Sequence, residues 1–275
     1  MAVEKTVRDF YDGYGWKKVT EGQLGEDKQF RQFSKPYYRY PDADNRTISC
    51  FSHLSGRLLI AGGGDLPESH VRIASKFSNV CCLDISRTGL DIAKSKLEKS
   101  HFVLGSILNI PFPDDYFDAV FCAHVIYHID IDLQERAVDE LIRTTKPRGR
   151  IVILYSNPES LMRRIVRKKK RLPILWRMRR GSKAHSNQPS EERPPLYYAL
   201  HPLRWWQRFG TKCDLSFMPW DVMEAEQESE LLWNDTMAAI AYWLCHRFER
   251  KYPEVAVKWW QFPIIVLDKH HSSAT

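Results

Sequence analysis

The stretch RLLIAGGGDLPES, residues 57–69, indicates the architecture of the whole chain. It begins with an apolar run, residues 58–61, that is long enough for one buried strand. Three glycines follow at residues 62–64, and they allow a sharp turn against which a ligand can lie without a Cβ in the way. Pro67 then suits the first turn of a helix. A strand, a glycine turn and a helix in this order open a doubly wound nucleotide-binding sheet.

Further apolar runs alternate with helical patterns along the chain. We predict strands at residues 79–84, 102–104, 119–123, 151–155, 214–218 and 262–267. We predict helices within residues 3–16 and at 42–54, 67–77, 86–97, 133–145, 202–209 and 222–250, the last of them long and open to interruption. This alternation predicts an α/β protein with a doubly wound, mostly parallel seven-stranded Rossmann-like sheet and helices on both faces. An N-terminal lid and an insertion after the fifth strand complete the expected fold.

The composition of the 275 residues bounds the class of protein. Hydrophobic residues make up 43% of the chain, which is ample for a packed core and argues against global disorder. No apolar run approaches the roughly 18 residues of a membrane span, and the N-terminus lacks the apolar core of a signal peptide. The six cysteines form no CxxC pair. They predict buried, reduced thiols in a cytoplasmic protein without a metal site.

The net charge of +7 is concentrated in one segment. Residues 163–183 hold eleven Lys or Arg and no acid, so the rest of the chain is net acidic. The segment could be a solvated basic face, an amphipathic helix resting on the inner face of an anionic membrane, or a wall that binds an acidic substrate or nucleic acid. We rank a membrane or an acidic substrate above nucleic acid, because no RNA-binding module is recognisable.

An acid stands at the end of the second predicted strand. Asp84 lies 20 residues after Gly64 and can accept hydrogen bonds from both hydroxyls of an adenosine ribose. The alternative is a turn aspartate with a structural role. Nicotinamide enzymes and S-adenosylmethionine (SAM) enzymes share this beginning, so the stretch that follows has to separate them.

Residues 105–123, GSILNIPFPDDYFDAVFCA, carry a more specific pattern. Together with the HVIYHI that follows, they resemble the class I SAM-dependent methyltransferases, in particular the small-molecule, type 11-like branch. IPFPDDYFDAVF matches that branch closely, and His128 falls on its histidine. ELIRTTKPRGRIVIL resembles the family's helix, glycine turn and fifth strand, and FPIIVLDK resembles its antiparallel final strand. The resemblance covers residues 55–155 closely and 200–269 loosely.

The resemblance implies SAM as the cofactor and assigns positions to it. The glycines would line the methionine part, Asp84 would hold the ribose, Ile85 would pack beside the adenine, and Ser106 with Ile107 would read the adenine ring. Tyr14, together with Tyr11 and Trp16, would close the pocket, with core packing as the alternative. The expected cofactor-binding residues are Ala61, Gly62, Gly63, Gly64, Asp84, Ile85, Ser106, Ile107 and Tyr14.

Three positions depart from the family pattern. Ile60 stands where the family usually has an acid, two residues before the first glycine. Ser106 replaces an aspartate that often binds the adenine amine, and Leu66 replaces the third glycine. These losses keep open a catalytically degenerate protein that binds without turnover.

The expected mechanism follows from the cofactor. The sulfonium makes the methyl group electrophilic, so the protein has to place a nucleophile in line and exclude water. A hydroxyl acceptor needs help in losing its proton, and a histidine suits that task near neutral pH. His128 is the first candidate base and His124 the second, while a structural role bonded to a carbonyl is the alternative for His128. We expect acceptor contacts from Tyr127, His201, Trp205 and Trp206, with aromatic core packing as their alternative.

The chain is therefore expected to divide into four regions. Residues 1–54 form a helical lid, 55–155 the SAM-binding core, 156–200 a basic insertion for acceptor or membrane contact, and 201–275 the rest of the sheet and the acceptor pocket. The expected activity is O-methylation of a small-molecule or glycan- or lipid-linked acceptor. RNA or protein methylation through the basic segment, a non-catalytic SAM-fold protein and, more distantly, a nicotinamide oxidoreductase are the alternatives.

Overall fold

The computed structural model describes residues 2–20, 23–24, 39–171 and 194–271. Helix α1 (Ala2–Phe10) opens the chain and continues into a π-helical turn (Tyr11–Gly15). Two short antiparallel strands, β1 (Lys18–Thr20) and β2 (Gln23–Leu24), and helix α2 (Arg39–Ser49) precede the main sheet.

Seven strands form the central sheet. They are β3 (Arg57–Ala61), β4 (Asn79–Asp84), β5 (His101–Leu104), β6 (Phe117–Ala123), β7 (Thr145–Leu154), β8 (Cys213–Asp221) and β9 (Phe262–Lys269). Their order across the sheet is β5-β4-β3-β6-β7-β9-β8. The pairs from β5 to β7 are parallel, and β9 runs antiparallel to both β7 and β8. The doubly wound seven-stranded sheet and its antiparallel final strand are thus confirmed.

Helices connect the strands. Between β3 and β7 lie α3 (Glu68–Ala74), α4 (Arg87–Lys96) and α5 (Gln134–Thr144). Ser86 caps α4 by accepting a hydrogen bond from the Gly89 N–H at 3.0 Å, as its position before the apolar pattern predicts. After β7 come α6 (Leu161–Arg171), a 3₁₀ helix (Leu203–Thr211), α7 (Ala225–Leu231), α8 (Asp235–Lys251) and α9 (Pro253–Trp259).

Two predicted elements differ from the structure. The long helix expected at 222–250, open to interruption in the prediction, is interrupted. The chain is extended at Leu232, and Asn234 starts α8 by accepting from the Met237 N–H at 2.9 Å. The fifth strand begins at Thr145 rather than near residue 151, because Thr145 pairs with Phe117 directly after α5 ends. Pro147 and Gly149 fall in an irregular part of this pairing.

The core is divided by the sheet. Alternate residues of β3 enter opposite layers: Leu59 and Ala61 pack in one, and Leu58 and Ile60 in the other. A third buried cluster, around Tyr242 and Trp260, lies under α7, α8 and α9. In the described ranges, no helix is both long enough and apolar enough to span a bilayer. The basic segment 163–183 is described as far as residue 171, so the rest of that prediction lies outside the described residues.

Candidate functional site

The glycine turn is bonded directly to the neighbouring strand. The Gly62 N–H donates to the Leu83 carbonyl at 2.7 Å, and the Gly64 N–H donates to Asp84 Oδ2 at 2.9 Å. Gly62 and Gly64 have φ values of +76° and +49°, in the left-handed region that glycine enters without strain. The turn after β3 and the acid after β4, which the sequence pairs only by spacing, therefore form one unit.

Asp84 retains the capacity to accept further hydrogen bonds. Its Oδ1 accepts from the Ser86 N–H at 2.8 Å, and its Oδ2 accepts from the Gly64 N–H at 2.9 Å. A carboxylate oxygen has a second acceptor direction. Burial raises the pKa of Asp84, although the Ser86 and Gly64 N–H groups oppose that rise. Two hydroxyl donors, such as those of a ribose, would further stabilise the charged form.

The third strand end completes this edge of the sheet. The Gly105 N–H donates to the Asp84 carbonyl at 2.9 Å, which places the residues after β5 beside those after β4. Ser106 Oγ accepts from the Leu108 N–H at 3.1 Å, and Ile107 is buried. The structure thus brings together the predicted cofactor positions Ala61, Gly62, Gly63, Gly64, Asp84, Ile85, Ser106 and Ile107 at the carboxyl ends of three adjacent strands.

Trp16 lies against the glycine turn. A Cβ on Gly64 would lie 2.7 Å from the Trp16 ring, and a Cβ on Gly89 would lie 2.9 Å from Trp16 Nε1, so both glycines make room for the indole. Tyr11 stacks on Trp16 with ring centroids 5.0 Å apart. Trp16 Nε1 is buried and has no acceptor in the described part of the chain. Tyr14 instead packs on Phe10, at 5.4 Å between centroids, so Trp16 rather than Tyr14 borders the turn.

Asp12 fastens the N-terminal segment to the same edge. Its Oδ1 accepts from Ser86 Oγ at 2.6 Å and from the Thr88 N–H at 3.2 Å, at the start of α4. The sequence analysis missed this role. An acid in a glycine-containing turn carries no signal of a partner more than 70 residues away.

His128 lies after β6, on the same edge. Its Nδ1 is 2.8 Å from the carbonyl oxygen of Tyr197. Because a carbonyl can only accept, Nδ1 carries the hydrogen, and the neutral ring has its lone pair on Nε2. The rings of Tyr11, Tyr127 and Tyr198 surround the imidazole, with centroids 6.1, 4.6 and 6.0 Å away. A hydrogen bond from Nδ1 to a carbonyl, as expected of a structural histidine, therefore leaves Nε2 able to act as a base.

Residues 197–201 run across the carboxyl ends of β6 and β7. The Ala199 N–H donates to the Tyr127 carbonyl at 2.9 Å, and Tyr198 Oη donates to Ser156 Oγ at 2.7 Å. The His201 N–H donates to Tyr155 Oη at 2.9 Å. Tyr198 is 43% exposed and forms part of the wall next to His128. Sequence reasoning missed Tyr197 and Tyr198, although the aromatic pair in PPLYYALHP was the available signal.

The other predicted residues lie beside this wall or in the core, and the His124 ring centroid is 6.2 Å from that of Tyr127. His124 follows β6 with φ +62°, and its ring packs near Trp220 and Phe262, at 5.1 and 5.6 Å between centroids. Trp206 is fully buried against Tyr155, so the structure places it in the core and not on the acceptor wall. The same holds for Trp205, which is 8% exposed and stacks on His201 at 4.3 Å.

Part of this chain matches a known family. Residues 61–153, about a third of the chain, match a family model described as a methyltransferase domain. The ubiquinone/menaquinone biosynthesis C-methyltransferase UbiE of Vibrio vulnificus (strain YJ016) is 32% identical over 122 residues, which is 41% of this chain and 46% of the relative. UbiE of Burkholderia cenocepacia (strain HI2424) is 34% identical over 100 residues, 35% of this chain and 40% of the relative. The chain spans less than half the length of these curated relatives.

Solved structures share the fold at low identity. The YcgJ protein of Bacillus subtilis has a TM-score of 0.51 and 15% identity, covering 85% of this chain and all of that one. The [4+2]-cyclase SpnF has a TM-score of 0.51 and 16% identity, covering 89% and 88%. The phosphoethanolamine N-methyltransferase 2 of Haemonchus contortus, solved with SAM, has a TM-score of 0.50 and 15% identity, covering 84% and 53%.

Proposed function

Because residues 61–153 form a methyltransferase domain of the class I SAM-dependent superfamily, we propose that this chain transfers the methyl group of SAM to a small-molecule or glycan- or lipid-linked acceptor. The observation that carries the proposal is the bond from the Gly64 N–H to Asp84 Oδ2. It makes the turn and the acid one preformed half of an adenosyl site.

The residues at the carboxyl ends of β3, β4 and β5 fit the cofactor. Asp84 would accept the ribose hydroxyls at the acceptor directions that Gly64 and Ser86 leave, and the backbone of the glycine turn would lie along the methionine part. The buried Trp16 Nε1 would donate to an oxygen of the bound molecule. When bound, SAM supplies an electrophilic methyl group on its sulfonium.

His128 is the proposed base. Its Nδ1–H, held by the Tyr197 carbonyl, orients the ring and directs the basic nitrogen, Nε2, away from that carbonyl. A positioned histidine can take the proton of an acceptor hydroxyl, which supports methylation at oxygen. Tyr11, Tyr127 and Tyr198 around the imidazole favour an acceptor with an apolar or aromatic part and help to exclude water. Tyr127, with His201 farther along the wall, is the proposed acceptor contact.

Carbon is the second candidate for the methylated atom. The curated relatives are named C-methyltransferases, and a ring carbon that gains a methyl group also has to lose a proton. His128 could serve either reaction, so the two are separated by the product. Transfer of an isotopically labelled methyl group followed by analysis of the product bond, C–O or C–C, distinguishes them.

The fold alone does not fix the reaction, since a structure titled a [4+2]-cyclase is among its neighbours. A non-catalytic role is the alternative, because the buried Ile60 stands where the family pattern has an acid. Binding of SAM without turnover of any acceptor would favour that role. We also propose that the protein works in the cytoplasm, which its six free cysteines support.

Ligand-dependent thermal unfolding tests the cofactor. We expect SAM and S-adenosylhomocysteine to raise the Tm and NADH to leave it unchanged. At a ligand concentration roughly a hundredfold above Kd, the free energy of unfolding should rise by about 2.7 kcal/mol. Asp84→Asn should abolish most of the ligand-induced rise. Since Asp84 also holds Gly64 and Ser86, the measured quantity is the shift caused by ligand within each variant.

A second variant shows whether the Trp16 indole blocks access of the ligand to the glycine turn. Trp16→Ala opens the space beside Gly64 and Gly89. A rise with SAM in Trp16→Ala but not in the parent chain would mean that the indole closes the site. No rise in either protein would contradict the proposed function.

A further inference from the structure

The outward surface of α6 and α8 combines exposed apolar side chains with exposed cations. We call it the α6–α8 face. It consists of Arg164, Ile165, Arg167 and Lys168 on α6, Trp233 before α8, and Ile240, Trp243, Leu244 and Arg247 on α8. None of these residues is among those proposed to bind the cofactor or the acceptor.

The apolar side chains are large and strongly exposed. Trp233 is 70% exposed, and Ile240, Trp243 and Leu244 are 54–56% exposed. The last three share one face of α8, because they are spaced by three and four residues. The opposite face of α8 packs into the third buried cluster through Ala238 and Tyr242, so the exposed ridge is not the core-facing side.

The cations of α6 point away from the core. Val166 is buried, whereas Arg164, Arg167 and Lys168 are exposed. Two acids near α6 lie close to its less exposed cations: Glu224 lies 3.6 Å from Arg163, and Glu230 lies 3.9 Å from Lys169. Within the described ranges, none of the three exposed cations forms an ion pair.

One cation–π contact joins α6 to the segment that leads into α8. Lys169 Nζ of α6 lies 5.9 Å from the ring centroid of Trp233, just before α8. On α8 itself, the Arg247 guanidinium lies 5.1 Å from the centroid of Trp243. Cations therefore flank both exposed indoles.

We propose that the α6–α8 face docks this protein peripherally on an anionic lipid bilayer. Indole rings favour the bilayer interface, where their apolar body is buried and their N–H stays hydrated. Isoleucine and leucine would enter the acyl boundary, and the arginines and lysines would meet the lipid phosphates. A second copy of the same cationic face would bring like charges together, and a nucleic acid would leave the aliphatic ridge exposed.

Sedimentation with lipid vesicles tests this proposal on the full chain without cofactor. We expect binding to phosphatidylcholine vesicles that contain phosphatidylglycerol, much weaker binding to pure phosphatidylcholine, and a loss of binding at high salt. Arg164→Glu with Arg167→Glu should weaken binding by about tenfold or more. Trp243→Ser with Leu244→Gln should weaken binding comparably. Because the cations remain, the salt dependence of the residual binding should change little.

Matched substitutions outside the face serve as controls. Lys76→Glu with Lys99→Glu changes the net charge equally at exposed positions, and Leu104→Gln removes an exposed leucine. We expect these controls to bind as the parent chain does, and all variants to retain the parent's thermal unfolding. Vesicle binding is read without SAM, so failure of the methyl-transfer proposal would not affect it.

Three results would overturn the inference. The first is no binding of the parent chain to anionic vesicles. The second is an equal loss in the Lys76→Glu/Lys99→Glu control, which would indicate a general charge effect. The third is a different occupant of the face in a parent chain that does not bind vesicles. This would be a second copy, if the chain is dimeric in analytical ultracentrifugation and becomes monomeric with Trp243→Ser, or RNA bound through Arg164 and Arg167.

Discussion

Leu66 illustrates how individual residues of the glycine turn are constrained. It occupies the place of the family's third glycine, yet its φ is +48°, so the left-handed backbone is retained without a glycine. That conformation costs a non-glycine residue about 1–2 kcal/mol. The Leu66 side chain is fully buried, which offsets a cost of this size. Leu66 therefore holds a left-handed backbone conformation that a glycine would adopt without strain.

At the same scale, His128→Asn separates a base from a scaffold. The asparagine amide can still donate to the Tyr197 carbonyl, so the wall should hold, but no group of suitable pKa remains to take a proton. We expect kcat to fall by about 10²- to 10⁴-fold, with the SAM-induced Tm shift unchanged. Unchanged turnover with intact SAM binding would remove His128 from the mechanism. His124→Asn is the comparison, since its ring lies near Trp220 and Phe262.

Among the elements, the N-terminal segment depends on the core for its position. Helix α1 and the turn after it place Trp16 on Gly64 and Gly89, and Asp12 bonds to Ser86 and to the first turn of α4. The predicted lid thus contacts the cofactor edge through residues 11–16. Residues 21–22 and 25–38 of the predicted lid lie outside the described residues.

Asp12→Ala should release this segment without unfolding the sheet. Loss of both acceptor contacts is expected to cost about 1–2 kcal/mol and to speed trypsin cleavage after the exposed Lys17. Asp9→Ala is the matched control, because Asp9 pairs only with Lys5 and Arg8 of its own helix among the described residues. Equal cleavage rates in the two variants would contradict a holding role for Asp12.

Over the whole molecule, the cysteines report on how tightly the layers are packed. Five of the six are buried and none is in a disulfide. Burial raises the pKa of Cys50 and Cys213 to about 11 and that of Cys81, Cys82, Cys122 and Cys245 to about 12. At neutral pH all six are therefore thiols, the form that reacts poorly.

A thiol titration checks this packing. With Ellman's reagent at pH 7.5–8, about the ordinary range for thiol assays, we expect almost no reaction in the native protein and six thiols per chain after denaturation. Fast labelling of one thiol in the native state would indicate local opening, and Cys245, the least buried, would be its first candidate. Fewer than six thiols after denaturation would contradict the reduced state.

The local patterns of the chain were sufficient for much of this description. All seven strands of the sheet were located, because each is a short apolar run bounded by turn residues, and Ser86 was recognised as a cap from its position alone. The GGG turn and Asp84 were paired by spacing, since a βαβ unit has a narrow range of lengths. The position of the break before α8 does not follow from the sequence, because the apolar pattern runs through it. In the structure, the cap at Asn234 interrupts the helix.

Contacts between distant segments could not be read from those patterns. The bond of Asp12 to Ser86, the seat of Trp16 on Gly64 and the Tyr197 carbonyl at His128 join residues separated by 48 to 74 positions. Strand identity follows from hydrophobic periodicity, which is local, but these partners are chosen by how the layers pack. The same packing placed Trp206 in the core and left Trp243 on the surface, although both are tryptophans in helical, aromatic-rich stretches. Burial of a side chain is a property of the assembled layers, and no single stretch of sequence contains it.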